Sequence, residues 1–426
     1  CIRDRTIPSA GASALPTPVV FPKNAAVSIQ KLAPPEGIAA DPSPLDFSQI
    51  SNASMGLPEP EGREDIGRPV VIGPTGTQLC YTARSPRGGQ EVYTKVYLID
   101  GEKRTTRQVA RIDGASVWAS AADPSSGDVL GVVMKPGDEK SQSLCVLSGI
   151  REGGPRVVAH WRMFPSDENK TDYVRFRKLL GNQVVVVVYG GQVHAFDYGA
   201  GREIWTLPSK MFNEPAITPG GRFVAIADDG QCAILETKTG QQIGSIPMTA
   251  KGPVSLGFSA DGLRLAVAHG NQVQIFDLGS GQELLLHEAN VGLASSGKPV
   301  LWLEKDFLLL PTGVLLNVER NVIVWKYQID QDAVEFTDLD HHGLLTFKGR
   351  NSTSIVRLPH EAARAAAERD TSDITAVRTG DSLAIAANAS GPGISSGDLK
   401  QWLSRAAESA GYRVADGSPT QLAATI

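Results

Sequence analysis

The feature that most restricts this chain is a repeat with a period near forty residues. The stretches GQVHAFDYGAGREIWTLP, GQCAILETKTGQQIGSIP and NQVQIFDLGSGQELLLHE each run through an alternating strand, an acidic residue, a Gly four positions on, and a second strand. The acidic residues are Asp197, Glu236 and Asp277, and the glycines are Gly201, Gly240 and Gly281. A fourth copy, GVLLNVERNVIVWKY, sets Asn317 and Asn321 at those two places, so the turns lie 39, 41 and 40 residues apart. A side chain leaving a strand there accepts backbone N–H bonds within the turn. Gly, and less readily Asn, takes the positive φ that closes it. Each copy also holds an earlier Gly-containing turn followed by an apolar strand, as in ITPGGRFVAIADDG and LGFSADGLRLAVAHG. Counting weaker versions, seven such turns run from Gly76 to Gly343, and seven third strands match them.

Seven four-stranded units predict an all-β chain built as a seven-bladed β-propeller over residues 63–358, with six or eight blades as the alternatives. The run Val184–Val188 suits an inner strand buried on both faces. The seventh unit ends one strand short after TSIVRL, so a strand from before about residue 65 is expected to close it. The stretch SADGLRLAVAHGNQVQIFDLGSGQEL resembles the repeat of bacterial WD-repeat and YVTN-type propellers. GQVHAFDYGAGREIWTLP resembles the quinoprotein-type repeat, with Asp197, Gly201 and Trp205 at the matching places. The whole resembles propeller proteins of planctomycete-like bacteria that carry a small appended α/β module. This resemblance covers residues 65–358 and implies fold far more than function. No GH or WD dipeptides frame the repeats, only one repeat keeps the docking Trp, and the adjacent cysteines of many quinoprotein alcohol dehydrogenases are missing.

The flanks read differently. Residues 1–5, Cys-Ile-Arg-Asp-Arg, are what the end of a common sequencing-library adapter encodes; they read as a non-native tail of a metagenomic fragment, a native lipidated Cys1 being the alternative. Residues 6–62 hold ten prolines with little apolar periodicity and read as an extended linker. Residues 359–373 are Ala/Glu/Arg-rich and predict a helical connector. Residues 374–426 predict a partial, truncated α/β module. Its helix carries Leu399, Trp402, Leu403, Ala406, Ala407 and Ala410 on one face, with Ser395 or Ser396 as cap and Gly411 as stop.

Chemistry is sparse. The 426 residues carry a net charge of −5, which argues against a general nucleic-acid binder, and no apolar run reaches the 18 residues of a membrane helix. Cys80, Cys145 and Cys232 lie far apart without CxxC spacing, and predict buried, unpaired thiols. His341 and His342 are adjacent within a turn, and the turn reading outranks a metal site. No cofactor motif is present. The expected role is a non-catalytic module that binds a protein partner. The alternatives are a quinoprotein-like or hydrolytic enzyme in the central channel, and an envelope-assembly scaffold. Trp161, Met163, Phe164, Met211 and Phe212 stand at the ends of successive outer strands. The leading reading tucks each Phe under its own loop to staple neighbouring blades, and the alternative is an exposed apolar patch on one face that a partner binds. Localisation and oligomeric state stay open.

Overall fold

The computed structural model describes residues 14–45, 52–56, 64–85, 91–135, 138–162, 174, 176–181, 184–208, 214–249, 254–289, 292–293, 299–327, 335–338, 343–348, 352–368, 382–389 and 395–425, apart from single positions within these ranges. Residues 1–5, the expected non-native tail, lie outside them. The chain divides into two compact units, Cys1–Ala363 and Arg364–Ile426. The first is built of β-sheets, several of them four-stranded and antiparallel, in an arrangement consistent with a propeller. Among the described residues these sheets are seven, numbered here in chain order from the sheet that contains Gln78–Arg84.

Alternation explains how the sheets pack. In Val184–Tyr189 of sheet three, Val184, Val186 and Val188 join a core with sheet four, while Val185 and Val187 join one with sheet two. A strand with period two that is apolar throughout must be covered on both faces, and its neighbours supply the cover. The same holds along the series. Separate cores join sheets one and two, four and five, five and six, and six and seven. Sheet seven takes Glu335–Asp338, Leu344–Lys348 and Ser352–Arg357 from its own segment, and its fourth strand is Ala53–Gly56, antiparallel to Ser352–Arg357.

The turns of the repeat are held by side chains. Asp197 Oδ1 accepts from the Ala200 N–H at 2.8 Å, Asp277 Oδ1 from Ser280 at 2.7 Å, and Asn317 Oδ1 from Arg320 at 2.8 Å. Glu236, one methylene longer, instead accepts from the Thr239 hydroxyl. Gly201, Gly240 and Gly281 stand at φ +64°, +71° and +68°, and Asn321 at +54°. Trp205 lies on Gly240 of the next sheet, where a Cβ would fall 2.6 Å from the indole, and its Nε1–H donates to Thr237 O at 2.8 Å. A second tryptophan shares that register: Trp325 pairs with Leu315 as Trp205 pairs with Ala195, and packs edge-on against His360. The sequence reading of a single such Trp is corrected on this point. The spacing carries the same match, Trp325 standing four residues after Asn321 as Trp205 stands four after Gly201.

One irregularity recurs. Between the third and fourth strands of sheets one to six the register shifts once, leaving one extra residue in each outer strand. That bulged residue is Val109, Val158, Ile204, Ile243, Leu284 or Val324, aliphatic every time. A bulge bends its strand and raises the local twist.

In the second unit a three-stranded parallel sheet has Ser382–Asn388 between Arg413–Val414 and Gln421–Thr425. The helix Ser396–Ser409 opens on a capping box, Ser395 Oγ accepting from the Asp398 N–H at 3.1 Å. It buries Leu399 and Ala407, with Leu403 partly covered, whereas Trp402 is 66% exposed and Ala406 and Ala410 are exposed. The broad apolar face expected from sequence narrows to the i, i+4, i+8 strip, which is all that so small a sheet covers. No helix of the described residues is long and apolar enough to cross a membrane.

Candidate functional site

The Pro-rich segment is where the molecule shows binding. Residues 14–45 read as a linker in sequence, yet they run across the outer strands of three successive sheets as a belt. Val19–Val20 pairs in parallel with Trp161–Arg162 of sheet two. Ala26 bridges Thr206 of sheet three, again in parallel, and the Val27 N–H donates to Thr206 O at 2.7 Å. On sheet four, the Ser245 N–H donates to Ala33 O at 3.1 Å. Farther on, Asp41 Oδ2 accepts from the Arg222 N–H at 2.8 Å and from the Thr218 hydroxyl at 2.5 Å, and the Asp41 N–H donates to Asp261 O. The prolines explain the conformation: fixed φ and missing N–H groups suit a strand that pairs on one edge only.

Counting from the bulged residue shows how the outer strands hold the belt. One position before it stand Val157, Glu203, Gln242 and Glu283; two positions after stand His160, Thr206, Ser245 and Leu286. The earlier position grips with its side chain. Glu203 Oε2 accepts from the Asn24 N–H at 3.1 Å, and its other oxygen meets His194 Nδ1 at 2.7 Å. Gln242 accepts from the Gln30 N–H at 2.9 Å and donates to Gln30 O at 2.7 Å. The later position holds belt backbone: His160 Nδ1 to Pro16 O at 2.6 Å, Thr206 O from Val27, and the Ser245 hydroxyl from the Leu32 N–H at 2.8 Å. Each such bond contributes about 0.5–1.5 kcal/mol net, and about 1.5–3 kcal/mol where a carboxylate accepts. Several in series hold a strand that could not hold itself. Phe21 adds an apolar anchor, buried and stacked on Trp161 with centroids 5.0 Å apart.

That stacking removes Trp161 from the alternative of an exposed patch on this face, because the indole is wholly buried between Phe21 and Phe196. The belt aromatic covers it, and nothing in the local sequence around residue 161 announces a partner 140 residues away. Met163, Phe164, Met211 and Phe212 lie outside the described residues, as do His341 and His342.

Other sites offer less chemistry. Cys80, Cys145 and Cys232 are free and buried, and burial pushes each thiol up to about 12, far from thiolate reactivity. Among the described residues no group of three His, Cys, Asp or Glu side chains could hold a metal. Glu214 has its carboxyl pushed up to about 7 by burial, against the opposing pull of Arg177 and Arg68. A cavity of about 300 Å³ beside sheet one is lined by Asp100, Lys103, Arg107 and Arg151. Lys103 is paired with Asp100 at 3.1 Å and Arg151 is bound to Ser126 O at 2.6 Å, so two of its three cations are already engaged.

No family model matches this chain, and no curated protein does. Among solved structures it is similar to a chain of the crystal structure of the mitotic checkpoint complex, at 14% identity and a TM-score of 0.47, over 79% of this chain and 99% of that one.

Proposed function

We propose that residues 63–358 form a seven-bladed β-propeller, closed by the strand Ala53–Gly56, that serves as a non-catalytic scaffold for a protein partner. Residues 359–373 would connect it to a small α/β module at 374–426. The observation that carries this reading is the belt: the repeat builds the same two gripping positions into successive outer strands, and those positions hold an extended polypeptide. Strand addition of this kind takes affinity from main-chain hydrogen bonds and specificity from side chains at alternate positions. A display selection of random peptides against the whole chain tests the proposal. Saturable binders whose amide-exchange footprints fall on the sheets support it; a selection that yields none, or turnover of a screened substrate, overturns it.

A further inference from the structure

The belt stops short of one strand that carries its docking pattern. At Pro34 it packs on the turn before the outer strand of sheet five, where a Cβ on Gly281 would meet Pro34 at 2.0 Å, and from there the chain passes to Asp41 and its contacts at Thr218 and Asp261. The strand beyond, Glu283–Glu288, pairs with Gln272–Asp277 on one edge, and among the described residues no strand pairs with the other. Its sequence, ELLLHE, differs in kind from the outer strands under the belt. The bulged residue Leu284 is 55% exposed, the highest figure among the equivalent positions, and Leu286, in the register of Thr206 and Ser245, is 44% exposed.

We propose that this edge is a docking strand for an extended segment of a partner protein, apolar at alternate residues and basic at its ends. The inference rests on the scaffold reading above and names the place and chemistry of one partner. Three observations select the occupant. The edge continues the surface on which the belt already lies, so an incoming strand meets the same register and adds in the same parallel sense. Thr206 and Ser245 present backbone groups to the belt, and Leu286, paired with Gln274 as Ser245 is with Ala233, turns its own backbone to the same side, where its carbonyl accepts from Asn321 Nδ2 at 3.5 Å. Leu286 puts apolar surface where Thr206 and Ser245 are polar, and Leu284 keeps the aliphatic residue of every bulge but is the most exposed of them. The exposed carboxylates of Glu283 and Glu288, which accept from Gln274 and Gln272, mark the two ends. An apolar outer strand with one edge that no strand of the described residues pairs is a template for pairing, and natural edges are commonly guarded by lysine or proline, which this one lacks.

The probe is a synthetic peptide of alternating valine and threonine with a lysine at each end, titrated against the whole chain by fluorescence anisotropy. Saturable binding is expected, with slowed amide exchange across residues 283–288. Leu284→Lys and Leu286→Lys should each weaken it at least tenfold, while Val158→Lys on sheet two should not. Both leucines are exposed, and unchanged melting of the variants separates lost docking from lost folding. Absent binding, unaltered affinity in both variants, protection elsewhere, or equal binding of a glutamate-ended peptide would overturn the proposal. Concentration-dependent dimers abolished by Leu284→Lys would overturn it too, because a second copy would then be the occupant. Display peptides that footprint on other sheets would leave the scaffold reading standing while this edge failed.

Discussion

A left-handed backbone position costs an L-residue about 1 kcal/mol, and the four repeat turns place three glycines and Asn321 there. Gly240 carries a second constraint, since Trp205 occupies the space a Cβ would need. Gly240→Ala should therefore destabilise the fold by about 3 kcal/mol, adding steric displacement to strain. Asn321→Gly should be near neutral, relief of the backbone strain being offset by two lost contacts, Oδ1 with His287 Nδ1 at 2.7 Å and Nδ2 to Leu286 O at 3.5 Å. Paired denaturant melts check both. Glu214 supplies a pH signature. Its folded carboxyl titrates near 7 against an ordinary 4.5, so the folded state holds the proton over that window while the unfolded chain releases it. That stabilisation is complete below 4.5 and is lost as pH rises through 7. Glu214→Gln should match the parent at pH 4 and exceed it at pH 8 by about 3 kcal/mol in pH-resolved melts.

Among the elements, the belt departs furthest from its sequence. Seven prolines and scant periodicity describe a segment without its own hydrogen-bond ladder. What composition does not carry is the partner: the belt's bonds go to strands more than 140 residues away, through backbone groups that look alike in every sequence. The β-rich architecture was legible because alternation and turn chemistry are local. The recurring bulge was not, since an inserted aliphatic residue in an outer strand reads as ordinary strand. Trp325 was legible too, since it stands four residues after Asn321 as Trp205 stands four after Gly201. Phe21 gives the belt a measurable value. Phe21→Ala should cost about 3–4 kcal/mol, as loss of a buried aromatic does, and should speed amide exchange at Trp161 and Arg162, where the belt pairs.

For the molecule as a whole, what matters is that the sheets pack in series. Six cores join consecutive sheets, from one and two through six and seven, so those sheets are stabilised through their neighbours, and a further core lies within sheet one. Ala53–Gly56 is the piece that ties a residue near the start of the chain to the last sheet. A chain lacking residues 1–56 should lose both belt and tie, melting well below the parent and over a broader range, whereas removal of residues 1–5, which read in sequence as a non-native tail, should leave the transition in place. Calorimetry of the two truncations separates these outcomes.

The three buried thiols lie on different sheets: Cys80 on sheet one, Cys145 on sheet two and Cys232 on sheet four. Held protonated and out of reach, each can meet an alkylating reagent only when its own sheet opens, so the molecule carries three internal clocks. Timed alkylation read by peptide mass would rank the opening of the three regions without introducing a label. If the sheets open as one body the three rates coincide; if the series frays from an end, Cys80 and Cys232 keep different time.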